Sequence, residues 1–240
     1  MFSRRIISKL EAWKQDEQHK PLILRGARQV GKTTVVNQFG TEFDNYLYFN
    51  LEITQNARLL EMDIPLDQLV QLMFAQSGIS PKEGSTLIFI DEIQNSPKAI
   101  TRLRYFYEQR PDLYIIAAGS LLENLVDVKV SFPVGRVQYL AMHPCSFCEF
   151  LHALGKNNLL DIINRSYDYS SAFHNELMHL FNQYAIVGGM PEAVQKYAQS
   201  GDVLALDNIY ETLIQSYKDD SEKYVKGGML TQVVRFVLSY

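Results

Sequence analysis

Residues 22–36 of the chain read Leu-Ile-Leu-Arg-Gly-Ala-Arg-Gln-Val-Gly-Lys-Thr-Thr-Val-Val. The apolar run at 22–24 predicts a short buried strand, and Val35 and Val36 predict a helix that begins directly after a glycine-rich loop. Residues 26–33 match G-x-x-x-x-G-K-[ST], which between a strand and a helix is a phosphate-binding pattern. Its glycines let backbone N–H groups turn inward, and the helix N-terminus adds the positive end of its dipole. The stretch therefore predicts a nucleotide site.

The residue types within this loop predict separate parts in binding. Lys32 is expected to reach the β- and γ-phosphates, and Thr33 to coordinate Mg²⁺. Arg28 and Gln29 stand where only backbone is required, so we expect exposed side chains that face the adenine or a partner. The residues assigned to the nucleotide are Gly26, Ala27, Arg28, Gln29, Val30, Gly31, Lys32, Thr33 and Thr34.

A second apolar run, Leu-Ile-Phe-Ile at 87–90, ends in the acidic pair Asp91-Glu92. An unbroken run of this kind is typical of a central parallel strand that is buried on both faces. After a phosphate loop it has the Walker B arrangement, in which Asp91 holds Mg²⁺ through water and Glu92 is the general base. The alternative is a surface pair that merely ends a strand. Two adjacent acids favour hydrolysis over transfer to another substrate.

Strands and helices alternate along the first part of the chain, and helices alone follow. Further apolar runs predict strands at residues 46–49, 113–118 and about 136–140. This order predicts an α/β fold with a parallel sheet, followed by helices. A shift in composition near 156–170 marks a boundary. We assign 1–156 to the core, 157–226 to a helical lid, and 227–240 to the start of a further helical, winged-helix-like segment that is cut short.

Cap residues predict where several helices begin and end. Gly40 is the predicted C-cap of the helix that leaves the loop, and Ser96-Pro97 the start of another. Residues 146–149, Ser-Phe-Cys-Glu, have the capping-box pattern. Cys145 and Cys148 have a spacing that also suits zinc, but without a second pair of ligands we favour incidental cysteines at a helix start.

Composition narrows the class of protein. Apolar residues make up 47% and charged residues 21% of the 240 residues, which are values of a globular chain and exclude a disordered tail or a collagen-like rod. The net charge of −4 neither requires nor excludes nucleic acid, because a basic face can lie within an acidic total. Two cysteines, with no signal peptide and no membrane-length apolar run, predict a cytoplasmic protein.

Six motifs in a fixed order resemble those of a known family. Together they are similar to the AAA-type ATPases of bacteria and archaea whose full-length members end in a separate domain of unknown function. The resemblance implies a P-loop NTPase core of three layers with a sheet in the order 5-1-4-3-2, ATP as ligand and a helical lid. The motifs are Gly-Ala-Arg-Gln-Val-Gly-Lys-Thr-Thr (26–34), Phe-Ile-Asp-Glu-Ile-Gln (89–94), Ala-Gly-Ser (118–120), Val-Gly-Arg-Val (134–137), Pro-Cys-Ser-Phe-Cys-Glu-Phe-Leu (144–151) and Gly-Gly-Met-Pro-Glu-Ala-Val (188–194).

The resemblance also implies roles for three single residues. Ser120 occupies the place of a polar sensor of the γ-phosphate, with a strand-end turn as the alternative. Arg136 is a candidate arginine finger, in its own or a neighbouring subunit, with a structural ion pair as the alternative. Pro191, in Gly189-Met190-Pro191, lies against the nucleotide from the lid in related proteins; a turn between helices is the alternative.

Three functions remain open from the sequence. The first is an ATP-hydrolysing switch, and the second is a nucleotide-gated module that binds protein or DNA with negligible hydrolysis. A small-molecule kinase ranks last. Such enzymes carry an arginine-rich lid, whereas residues 156–200 contain a single arginine, Arg165. A homo-oligomer and a protein or DNA partner are left open, and no membrane is implied. Arg102, Arg104 and Arg110 are predicted to form a solvated helix face, with nucleic acid or a neighbouring subunit as the alternative.

Overall fold

The computed structural model describes residues 2–119, 133, 135–165 and 170–224. It contains two compact units: Arg4–His143, and a second unit formed by the described residues of Met1–Ser3 and Pro144–Tyr240. The division falls before the boundary that composition predicts at 156–157, because the helix that follows Ser146 packs on the later helices. The predicted segment 227–240 lies outside the described residues.

The first unit is a parallel sheet with helices in its crossovers. The five strands lie in the order β2-β3-β4-β1-β5, and all neighbouring pairs are parallel, which confirms the predicted fold class and strand order. The strands are β1 (Leu22–Arg25), β2 (Asn45–Asn50), β3 (Thr86–Asp91), β4 (Leu113–Gly119) and β5 (Gln138–Ala141). The helices are α1 (Ile6–Lys14), α2 (Lys32–Gly40), α3 (Thr54–Glu61), α4 (Leu66–Ser77) and α5 (Pro97–Gln109).

Both faces of the sheet are covered, and this is why β3 is buried at every residue. Alternate side chains of a strand point to opposite faces. On one face, Ile88 and Ile115 pack in a single cluster with apolar residues of α3, α4 and α5. Helices α1 and α2 contact each other, and α2 contacts β3 and β4. The loop between β1 and α2 is therefore anchored at both ends in a closely packed core.

The C-terminal end of α2 corrects one prediction. Gly40 does not cap the helix, because it is the last helical residue and the cap is Thr41 in right-handed conformation, with φ −68° and ψ −12°. A Cβ atom on Gly40 would lie 2.7 Å from Cδ2 of the Tyr46 ring. Close approach of that ring, not a left-handed turn, requires glycine here.

Gly40→Ala should therefore destabilise the protein, although alanine normally stabilises a helix relative to glycine by about 1 kcal/mol. Overpacking against the ring should cost about 1–3 kcal/mol in the free energy of unfolding, measured by urea denaturation. In a Tyr46→Ala background the same substitution should be neutral or stabilising. Equal losses in both backgrounds would contradict the packing explanation.

Helix α3, which the sequence patterns did not reveal, is held at its C-terminal end by cations of α5. The Nζ atom of Lys98 donates to the Glu61 carbonyl at 3.0 Å, and the Arg102 guanidinium donates to the Met62 carbonyl. Positive groups stabilise the negative end of a helix dipole. Arg102 is buried, so the prediction of a solvated face was wrong for this residue. The other two arginines of the predicted face form ion pairs, Arg104 with Glu108 and Arg110 with Asp67 and Asp112.

The second unit is helical where the structure describes it. Ser146 and Glu149 form the predicted capping box, in which each side chain accepts from the backbone N–H of the other residue. Among the described residues, no helix combines the length and the apolar character that crossing a membrane requires. The helices are α6 (Phe147–Ala153), α7 (Asn157–Arg165), α8 (Ser170–Val187), α9 (Pro191–Ser200) and α10 (Asp207–Tyr224).

Candidate nucleotide site

The glycine-rich loop leaves β1 at Arg25 and enters α2 at Lys32, as the sequence predicts. Gly31 has φ 91°, a left-handed conformation that turns the chain into the helix. A Cβ atom on Gly26 would lie 2.3 Å from the carbonyl oxygen of Met142, so only glycine fits beside β5 at this point. The N-cap has no side chain to accept from the first turn of α2. Those backbone donors are therefore available to an anion.

Lys32 is folded back onto the loop that precedes it. Its side chain is buried, and Nζ donates to the carbonyl oxygens of Gly26 at 2.8 Å and Ala27 at 2.9 Å. Burial lowers the pKa of Lys32, while the nearby carboxylates of Glu92 and Asp91 oppose this shift. The amine therefore lies within the loop and close to the acidic pair, where a nucleotide phosphate would meet it.

A hydrogen bond joins the start of α2 to the end of β3. The Thr33 hydroxyl donates to Oδ2 of Asp91 at 2.7 Å, and the Glu92 backbone N–H donates to the other oxygen of Asp91 at 3.0 Å. Asp91 is buried, so these contacts hold its carboxylate in one orientation. A hydroxyl and a carboxylate oxygen side by side are ligands that suit Mg²⁺. The residues present therefore fit the predicted ion.

Glu92 has an unusual backbone conformation. With φ 52° and ψ 45°, it is one of two non-glycine residues in the left-handed region among those described. Such conformations cost about 1–3 kcal/mol each and cluster at functional sites. Burial raises the pKa of the Glu92 carboxyl, and a hydrogen bond from the Gln94 amide opposes the rise. A carboxylate of raised pKa is a stronger base, as a general base requires.

Two residues that contact the acidic pair or the loop were not predicted from the sequence. The Tyr48 hydroxyl donates to Asp91 Oδ2 at 3.4 Å, and its ring stacks on Phe89 with centroids 5.3 Å apart. The buried Arg4 donates to the carbonyl of Val30, inside the loop, at 3.0 Å and to that of His143 at 2.8 Å. The only sequence signal for Tyr48 is its place near the end of the strand beside β3; Arg4 has none, because its partners are distant in sequence.

For the remaining residues of the predicted site, the structure gives only exposure or position. In the loop, Gln29 is exposed as predicted, whereas Arg28 is half-buried. Ser120 lies outside the described residues. Pro191 is the first residue of α9 in the second unit, and its contact with a nucleotide stays a prediction.

Arg136 lies away from the loop of its own chain. It precedes β5, whose first residue pairs with Leu22, whereas the loop follows Arg25 at the opposite end of β1. Its Nε atom donates to Glu108 at 3.0 Å, which is the structural ion pair that the sequence left open. A phosphate contact within the same chain does not suit this position. The finger role stays a prediction for a neighbouring subunit.

The strand order, the loop between β1 and α2 and the acidic end of β3 define a P-loop NTPase fold. Residues 18–151 match the model of the AAA domain family, and the chain belongs to that family. This span covers the whole loop and the acidic pair.

The chain is similar to several known proteins. The chain is 25% identical over 235 residues to uncharacterized protein MJ1637 of Methanocaldococcus jannaschii, across 89% of this chain and 46% of that protein. It thus spans about half the length of that relative. The Walker-type ATPase PABY2304 of Pyrococcus abyssi is similar in structure, with a TM-score of 0.56, 16% identity and coverage of 93% of this chain and 75% of that one. PCH-2 of C. elegans has a TM-score of 0.45, 14% identity and coverage of 82% and 62%.

Proposed function

We propose that this chain binds ATP with Mg²⁺ at the loop and hydrolyses it, and that its nucleotide state works as a switch. The observation that carries the proposal is the hydrogen bond between Thr33 and Asp91, 2.7 Å long. It places the hydroxyl of the loop and the carboxylate of β3 at one point, which a chance glycine loop followed by an unrelated acidic strand end would not do.

The side chains have distinct tasks in this reaction. Lys32 binds the β- and γ-phosphates and stabilises the charge that develops on them. Thr33 and Asp91 would hold Mg²⁺, which supplies further neutralisation of phosphate charge when bound. Glu92 accepts a proton from water as the water oxygen bonds to the γ-phosphorus and the bond to the bridging oxygen breaks. Ser120 would sense the γ-phosphate.

The helices of the second unit are the proposed responding element. In this proposal Pro191 contacts the nucleotide, and closure of the helical lid couples the nucleotide state to a protein or DNA partner.

Phosphate release, measured with and without duplex DNA, tests the proposal. We expect phosphate release that requires Mg²⁺ and is lost in Lys32→Ala. We also expect the molecular mass of the protein in solution to differ between ATP and ADP. If DNA stimulates phosphate release and the stimulation weakens as the salt concentration rises, DNA would be assigned as the partner. Partner capture that depends on ATP, without phosphate release at high protein concentration, would instead support a binding module and contradict hydrolysis.

A finger role for Arg136 has its own test. If Arg136 acts on the site of a neighbouring subunit, Arg136→Ala should lower kcat by about 10³-fold in the assembled protein. Glu108→Ala is the matched control, because it removes the same ion pair from the other side. Equal effects of the two substitutions would show that only the ion pair matters.

A further inference from the structure

Gln94 reaches back to the acidic end of β3. The left-handed conformation of Glu92 starts a tight turn, closed by a hydrogen bond from the Asn95 N–H to the Glu92 carbonyl at 3.0 Å. Within this turn the Nε2 group of Gln94 donates to Oε2 of Glu92. One carboxylate oxygen of Glu92 is therefore occupied by the amide, and the other is left to accept from a different donor.

The carbonyl oxygen of the same amide is different. Oε1 of Gln94 is buried and accepts no hydrogen bond from the described residues. The amide orientation is fixed by chemistry, because only its NH₂ group can donate to a carboxylate. A buried acceptor without a donor is unfavourable, and a water admitted between this oxygen and Glu92 would supply the missing donor.

We propose that Gln94 is a further catalytic residue that orients the attacking water, an inference that rests on the proposed hydrolysis. Water has two O–H donors and needs two acceptors to be held in one orientation. Glu92 accepts the hydrogen that is transferred, and Gln94 Oε1 accepts the other. The lone pair of the water oxygen then faces the γ-phosphorus. Glutamine holds the attacking water in this manner in some GTPases.

Gln94→Met tests this role, because methionine has a similar length and no amide. We expect the rate constant of phosphate release in single-turnover assays to fall about 100-fold, while the Kd for ATP stays unchanged. Gln138→Met is the matched control. Gln138 is also half-buried, and its Oε1 atom accepts from none of the described residues, but it lies at the start of β5, away from the loop. This control should keep the wild-type kcat.

A second measurement separates water orientation from a loss of structure. ADP with aluminium fluoride mimics the transferring phosphoryl group together with its attacking water, so its extra affinity over ADP reports transition-state binding. Gln94→Met should lose that extra affinity and keep the affinity for ADP. A wild-type kcat, or an equal loss of ADP affinity, would overturn the inference. No phosphate release from the wild-type chain under any condition would overturn the proposed hydrolysis itself, and the inference with it.

Discussion

Lys32→Ala should abolish ATP binding at micromolar concentrations. The amine already makes two hydrogen bonds within the loop, to the carbonyls of Gly26 and Ala27, and phosphate oxygens would replace these acceptors. A hydrogen bond to a charged group contributes about 1.5–3 kcal/mol. Loss of two such bonds should raise the Kd at least about 100-fold, since 1.4 kcal/mol is a factor of ten. Calorimetric titration with ATP and Mg²⁺ measures the change.

Lys14→Ala is the matched control for this substitution. Lys14 also donates to a backbone carbonyl, that of Glu42 at 2.7 Å, but it belongs to α1, and Glu42 follows the C-terminal end of α2, opposite the loop. It should bind ATP with the wild-type Kd. ATP binding by a folded Lys32→Ala protein with unchanged Kd would contradict the assignment of the loop.

Glu92→Gln should retain ATP and stop turnover. The amide keeps the size and polarity of the side chain but cannot accept a proton, so binding is preserved while general-base catalysis is lost. General bases contribute about 10²–10⁴-fold to rate, and we expect kcat to fall within that range. Single-turnover phosphate release and the Kd for ATP, measured on the same protein, separate the two effects.

Glu52→Gln is the control that tests which carboxylate is the base. Glu52 is exposed and lies close enough to raise the pKa of Glu92 through its charge. Its substitution should leave most of the activity. Normal turnover in Glu92→Gln, or a larger loss in Glu52→Gln, would show that Glu92 is not the base.

Features set by local chemistry were predictable from the sequence. Glycine spacing fixes the loop, an unbroken apolar run fixes the central strand, and the Ser146–Glu149 pair fixes a helix start, each within a few residues. Features that depend on distant partners were not predictable. Gly40 has the pattern of a cap, but a ring from the next strand decides its role. Arg102 has the pattern of a solvated residue, but the end of α3 buries it.

The same distinction divides the residues of the candidate site. Lys32, Thr33, Asp91 and Glu92 belong to motifs, and the structure brings them together. Gln94 stands inside one of the quoted motifs, yet only the turn that follows Glu92 gives its side chain a partner. The contact between a tyrosine of β2 and Asp91 depends on strand order, which no local pattern contains.

The buried guanidinium of Arg4 has a practical consequence for fragment design. The family match begins at residue 18, yet Arg4 tethers the loop at Val30 and, through the His143 carbonyl, joins the two ends of the first compact unit. A fragment trimmed to the matched span would contain the loop and the acidic pair but lack this tether and helix α1. The smallest fragment that preserves the loop as a rigid phosphate receptor should therefore run from Arg4 to His143.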